Sequence, residues 1–258
     1  MRCAWLLLLW FPIGCGRIGF DNLGDDTVED GSVTGDADAA TVFPPPCSIR
    51  AMVDDPLDIS GTTIRFTTFR TSYVFVPTTA IDVVQGGQVI ASTLSDEQGD
   101  YSLRVPTGGS AITPTIAITR PGVGTTYVTS NDAIDTGRTL LLETTSEATL
   151  NALYALGPYT RRADRGTLVV QSLNCTGVGE AGAAVAVAPA PEAIGYIAAD
   201  GTLDGTSTQA PNVAAVAFNV VPGPVTITAS APGRMYYPFT VTVVAGDNQT
   251  VVSIMSVE

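Results

Sequence analysis

The chain has 258 residues, 45% of them hydrophobic and only 14% charged, with a formal net charge of −13. All twelve basic residues are arginine. The lack of lysine and histidine excludes imidazole metal sites, Ser-His-Asp and Cys-His catalysis, Schiff bases and phosphate-loop lysines. The acidic balance also argues against nucleic acid or an anionic membrane surface as a direct partner, and the wealth of Thr, Val, Ala and Gly favours strands joined by tight turns.

In chain order, the first segment is MRCAWLLLLWFPIGC. Arg2 gives a positive start and Ala4 to Ile13 is an apolar run, too short to span a bilayer, so residues 1–14 read as a signal peptide. The closing PIGC resembles the lipobox of bacterial lipoproteins through Gly14 and Cys15, with Pro12 where that motif usually has leucine. The resemblance implies that Cys15 is acylated and anchors the mature chain in a membrane. Gly16 after it points to the outer membrane, at its periplasmic face or the cell surface, and CGRIGFD looks like the start of myxobacterial-type lipoproteins. Cys3, Trp5 and Trp10 fall in the removed segment, leaving Cys47 and Cys175. In an oxidising envelope these suggest a disulfide, the alternative being two separate buried thiols.

Residues 15–46 read as a lipidated start followed by an acidic spacer. Asp21 to Pro46 holds seven acids and no base, a composition that cannot bury enough surface to offset chain entropy. Its Asp36-Ala37-Asp38 triplet resembles the DxD of sugar-nucleotide transferases, but without a surrounding fold it reads as spacer.

Residues 47–138 alternate as strands do. Tyr101, Leu103 and Val105 share one face, Ser102 and Arg104 the other, and Ile112, Ile116 and Ile118 follow, with Pro114 marking an edge or bulge. Residues 139–163 form a linker with one short helix, TTSEATLNALYALGP. Thr144 and Glu147 have capping-box spacing, Leu150, Leu153, Tyr154 and Leu156 supply an apolar stripe, and Gly157-Pro158 stops the helix. Residues 164–258 are a second β region, in which Val225, Ile227 and Ala229 alternate with threonine and serine, as do Phe239, Val241 and Val243 with threonine. The turns around Val105-Pro106 and Val221-Pro222-Gly223 are followed by similar Ile/Thr strands, so the two regions read as repeats of sandwich size. The expected fold is mainly β: two tandem antiparallel β-sandwich domains of prealbumin-like or Ig-like kind, joined by one short helix.

The stretch GQVIASTLSDEQGDYSLRVPTGG resembles the carboxypeptidase regulatory-like, or prealbumin-like, family through Asp96, Gly99, Tyr101, Leu103, Val105, Pro106 and Gly108. In the second repeat Gly182, Ala183, Val185 and Val187 resemble the family's opening strand, and FNVVPGPVTITASAPG its later strand pair. The chain departs from the pattern at Asp82, where an apolar residue is expected, and in the longer loop AADGTLDGTSTQAPN. The resemblance implies seven-stranded sandwiches that are usually non-catalytic accessories. The metallocarboxypeptidase centre itself needs histidine, and the Lys–Asn cross-links of related surface domains need lysine.

Several side chains invite chemistry. Asp96, Glu97 and Asp100, or Asp200 and Asp204, supply oxygens for a weak Ca2+ site, although neither group has EF-hand spacing. The first group also reads as a polar turn built on Gly99. Asp135-Thr136-Gly137 resembles the D-T-G of aspartic proteases, but one copy cannot supply a proton-sharing pair. Tyr73, Tyr127, Tyr196, Tyr236 and Tyr237 are available as glycan contacts or as core. The leading expectation is a non-catalytic cell-envelope lipoprotein, binding an unknown envelope protein or playing a structural part. The alternative is a carbohydrate-binding surface module, with the protease a remote third.

Overall fold

The computed structural model of the chain describes residues 46–47, 49–68, 72–120, 122–144, 146–246 and 248–257. The signal segment, Cys15 and almost the whole spacer lie outside the described residues.

Among the described residues eight strands precede the helix. They are β1 (Leu57–Thr68), β2 (Ser72–Phe75), β3 (Ala80–Gln85), β4 (Gln88–Leu94), β5 (Asp100–Val105), β6 (Thr115–Thr119), β7 (Thr126–Ser130) and β8 (Arg138–Thr144). The long β1 pairs antiparallel with β5 and β2 along one side and parallel with β8 along the other. At the β1–β8 crossing Gly61 lies against Leu140, and a Cβ there would run into the Leu140 carbonyl oxygen. Facing this sheet are β4, β3, β6 and β7 in that order. Leu57, Ile59, Ile81, Val83, Tyr101, Leu103, Val105, Ile116, Ile118 and Leu142 are buried between the two. The alternation in β5 is as expected, with Tyr101, Leu103 and Val105 inward.

After helix α1 (Glu147–Ala155) come β9 (Gly166–Leu173), β10 (Ala184–Ala188), β11 (Ala193–Tyr196), β12 (Ala214–Val220), β13 (Gly223–Ser230), β14 (Phe239–Val243) and β15 (Gln249–Met255). The repeat is visible in the pairing. The order β5-β1-β8 of the first half recurs as β12-β9-β15, antiparallel then parallel, and β3-β6-β7 recurs as β10-β13-β14. Among the described residues the second half has seven strands, and β2 is the first half's extra one. The first repeat runs on through β8, so residues 139–144, expected in the linker, belong to a sheet.

The two repeats share a sheet. β15 pairs parallel with β9 on one side and with β7 on the other, giving one eight-stranded sheet, β11-β12-β9-β15-β7-β6-β3-β4. Asparagines clamp both ends of this joint. Asn248 Oδ1 accepts from the Thr125 N–H (2.9 Å), and Asn131 Oδ1 accepts from the Met255 N–H (2.7 Å).

Paired residues share a face, and the register links Val83, Ile116, Val128, Val251 and Val169 across the joint. Val83 and Ile116 face the β1 sheet, while Val169 and Val251 pack with Leu153 and Tyr154 of α1. The β1 sheet and the helix therefore lie on one face of the shared sheet. The opposite face carries Leu168, Val170 and Val252, covered by β10, β13 and β14. Strand β12, buried along its whole length, serves both cores, which explains its nearly all-apolar sequence.

The helix differs from expectation at its start. Thr144 closes β8, its hydroxyl donating to the Ile64 carbonyl (3.2 Å). Ser146 caps instead, its Oγ accepting from the Thr149 N–H. Leu150, Leu153 and Tyr154 are buried as the stripe requires, whereas Leu156 is exposed. Cys47 and Cys175 form a disulfide across a sequence separation of 128, packed with Met255 and Leu173.

Candidate functional site

β9 and β15 run parallel, so their two ends define two poles of the second repeat. Leu173 pairs with Met255 at one pole, where the disulfide sits. Thr167 pairs with Gln249 at the other. The run of β9 from Thr167 to Leu173 separates them by about 20 Å.

The pole away from the disulfide holds a cleft of about 370 Å³ lined by Arg162, Arg165, Ala190, Pro191, Glu192 and Asn219. Its floor is a bulge in β12, where the register with β9 shifts between Ala217 and Val220. Asn219 stands in the bulge at φ 52°, a left-handed backbone that asparagine tolerates better than most residues. The buried side chain is fully engaged. Oδ1 accepts from the Arg162 N–H (3.0 Å) and the Tyr154 hydroxyl (3.4 Å). Nδ2 donates to the Thr160 carbonyl (2.9 Å) and to Glu192 Oε2 (2.7 Å). One residue thus fastens the helix exit, the β10–β11 connection and the bulge together.

The cationic wall comes from the turn into β9. Arg162 donates from Nε and Nη2 to the two oxygens of Asp164 (3.2 and 3.0 Å), and Arg165 Nε approaches the same carboxylate at 3.5 Å. The hydrogen bond from Arg162 holds the exposed Asp164 carboxyl below its usual pKa. The terminal nitrogens of Arg165 and Oε1 of Glu192 hold no partner among the described residues. Only the clustering of Arg161, Arg162 and Arg165 marked this place in the sequence, on a chain with twelve basic residues in all. An isolated asparagine before Val-Val-Pro gives no such signal.

The residues singled out from sequence lie elsewhere. Asp96 Oδ1 accepts from the Gln98 and Asp100 N–H groups (2.9 Å each), and Gly99 takes φ 85°. Asp100 accepts from the Thr62 hydroxyl, and Glu97 is exposed. This is a polar turn in which Asp96 holds its own backbone and Asp100 ties it to β1. Asp200 and Asp204 likewise hold their own backbone, through Thr202 and Gly205. Among the described residues no three acidic, Cys or His side chains come together to hold a metal ion.

Two of the five tyrosines cannot be surface contacts. Tyr196 is buried with its hydroxyl taking the Val185 N–H (2.9 Å), and Tyr236 is buried with its hydroxyl donating to Glu180 Oε2 (2.7 Å). Glu180 is itself paired with Arg234. Both rings belong to the second core, Tyr196 from the end of β11 and Tyr236 from an isolated bridge to Ser256. Tyr73 is exposed on β2 beside Phe75, while Tyr127 and Tyr237 are half-buried. They sit on three separate elements, β2, β7 and the β13–β14 connection.

The D-T-G segment is a clasp. Asp135 is buried, its carboxylate accepting from the Arg50 N–H (2.6 Å) and its carbonyl from the Asp54 N–H (3.0 Å). Thr136 and Gly137 donate in turn to the Asp54 carboxylate. Asp132 is also buried, 3.6 Å from Arg138, and burial pushes its carboxyl pKa up. These bonds fasten the chain that enters β1 onto the chain that enters β8.

No protein-family model matches the chain, and no curated protein sequence matches it. Among solved structures it is similar to the Bacillus anthracis TIE protein (11% identity, TM-score 0.26), covering 78% of this chain and 34% of that one, so it spans about a third of that length. The shaft pilin spaA from Lactobacillus rhamnosus GG is matched at 10% identity and TM-score 0.25, over 78% and 97% of the two chains. The minor pilin of Streptococcus agalactiae is matched at 7% and 0.27, over 78% and 95%. At these scores the likeness bears on neither function nor partner. The chain's own topology defines its class, a tandem β-sandwich protein with one short helix. Among the described residues no helix is long and apolar enough to cross a membrane.

Proposed function

We propose that the chain is a non-catalytic, lipid-anchored protein of the cell envelope, holding two fused sandwiches as a rigid structural or protein-binding element. The carrying observation is the division between the poles. Cys47, the first residue after the spacer, is bonded to Cys175 at one pole, and the cleft opens at the other. A chain held by Cys15 through that spacer presents the cleft away from its attachment. The lipobox resemblance and the acidic spacer support the anchor, with the outer membrane as its expected site. The test is metabolic palmitate labelling of the full chain and of Cys15→Ser. Label on the parent and none on the variant is expected; equal labelling removes the anchor. A hydrolase activity that survives purification and is lost with one point substitution would overturn the non-catalytic reading.

A further inference from the structure

We infer that the cleft at the pole away from the disulfide binds the free C-terminal carboxylate of a peptide. The inference rests on the binding role proposed above but not on the lipid anchor. Three features of the cleft point to this chemistry. First, two guanidinium groups stand on one wall of a strongly acidic protein, and their local occupant is already a carboxylate, that of Asp164. Asp164 is exposed, so it can be exchanged for an incoming carboxylate without unpacking a core. The terminal nitrogens of Arg165 remain open for a fork-like contact.

Second, the β10–β11 connection supplies an acceptor to the same cleft. Asn219 fixes Glu192 through Oε2 and leaves Oε1 open. A ligand with only negative charge would be repelled by Glu192. A peptide terminus offers its carboxylate to Arg165 and its last N–H to Glu192. Ala190 and Pro191 give a small apolar wall for the last side chain. The volume, near the lower end for ligand sites, suits one or two residues.

Third, the cleft is built by a residue in a rarely used backbone conformation. Asn219 at φ 52° is held there by four side-chain hydrogen bonds, so the walls keep their positions before any ligand arrives.

The test is NMR titration of the full chain with acetyl-Ala-Ala and with its C-terminal amide, following the Asn219 side-chain amide and the arginine Nε signals. Saturable shifts with the acid and none with the amide are expected. Arg165→Gln should abolish them. Asp164→Asn should tighten binding by about two- to fivefold, since it removes a competing exposed ion pair. A gain of affinity cannot come from misfolding, so this variant keeps the test sound if Arg165→Gln is damaged. Equal binding of acid and amide, or no saturable shift at tens of millimolar, overturns the inference. So does unchanged affinity in Asp164→Asn. Glucuronate binding more tightly than the peptide would overturn the peptide assignment. None of these outcomes alters palmitate labelling at Cys15, so the two proposals fail separately.

Discussion

Removing the Cys47–Cys175 bond should be the most damaging single change available to this fold. The crosslink closes a loop of 128 residues in the unfolded chain. Loop-closure entropy for that length gives about 5 kcal/mol of stabilisation at 25 °C. An unfolding entropy near 2.1 cal/mol/K per residue over roughly 210 folded residues converts this to a midpoint shift of about 11 °C. The assay is thermal unfolding by circular dichroism of the oxidised chain, the fully reduced chain and Cys47→Ser/Cys175→Ser. Both altered forms should melt about 11 °C lower, and in one transition, because β15 pairs into both repeats. A shift under about 2 °C would refute the reasoning, since the loop would then not be closed in the unfolded parent.

Asn219→Gly keeps the backbone freedom but loses four side-chain hydrogen bonds, and should cost about 3 kcal/mol in urea unfolding; Asn219→Ala should cost about 1 kcal/mol more. Burial raises the Asp132 pKa in the folded state, so the folded protein holds that proton more tightly than the unfolded chain does. Its contribution is full below the ordinary value of 3.8 and is lost as pH rises through the raised folded value. Asp132→Asn should flatten that part of a stability–pH profile, and a parent profile rising across this window would contradict the assignment. Asp96→Ala should lower stability by about 1 kcal/mol through the lost turn bonds, with the same melting temperature in Ca2+ and in chelator.

Periodicity exposed the features that depend on one strand or helix at a time. The inward set Tyr101, Leu103 and Val105, the inward Val225 and Ile227, and Leu150, Leu153 and Tyr154 of the helix all follow from local burial. The Val-Pro turns marked the repeat because both sit where the chain crosses between sheets. Partner choice between distant strands leaves no such trace. Nothing in QTVVSIM tells that it joins β7 of the other repeat, so the shared sheet and the opposite placement of the two cores were not legible. The cap shifted from Thr144 to Ser146 because β8 claims Thr144 for its pairing with β1. The cleft was hidden for a similar reason. Its floor is an asparagine whose importance lies in four partners drawn from three other segments.

The disulfide has a mechanical consequence. Traction on the spacer enters the fold at Cys47 and passes through the sulfur bridge to Cys175, at the end of β9 beside Met255. The first repeat, which lies between the two cysteines in sequence, is thereby shunted out of the line of force. The shielded 128 residues amount to about 45 nm of extended chain. That length stays locked when the oxidised protein is stretched between its ends, and reduction releases it into the load.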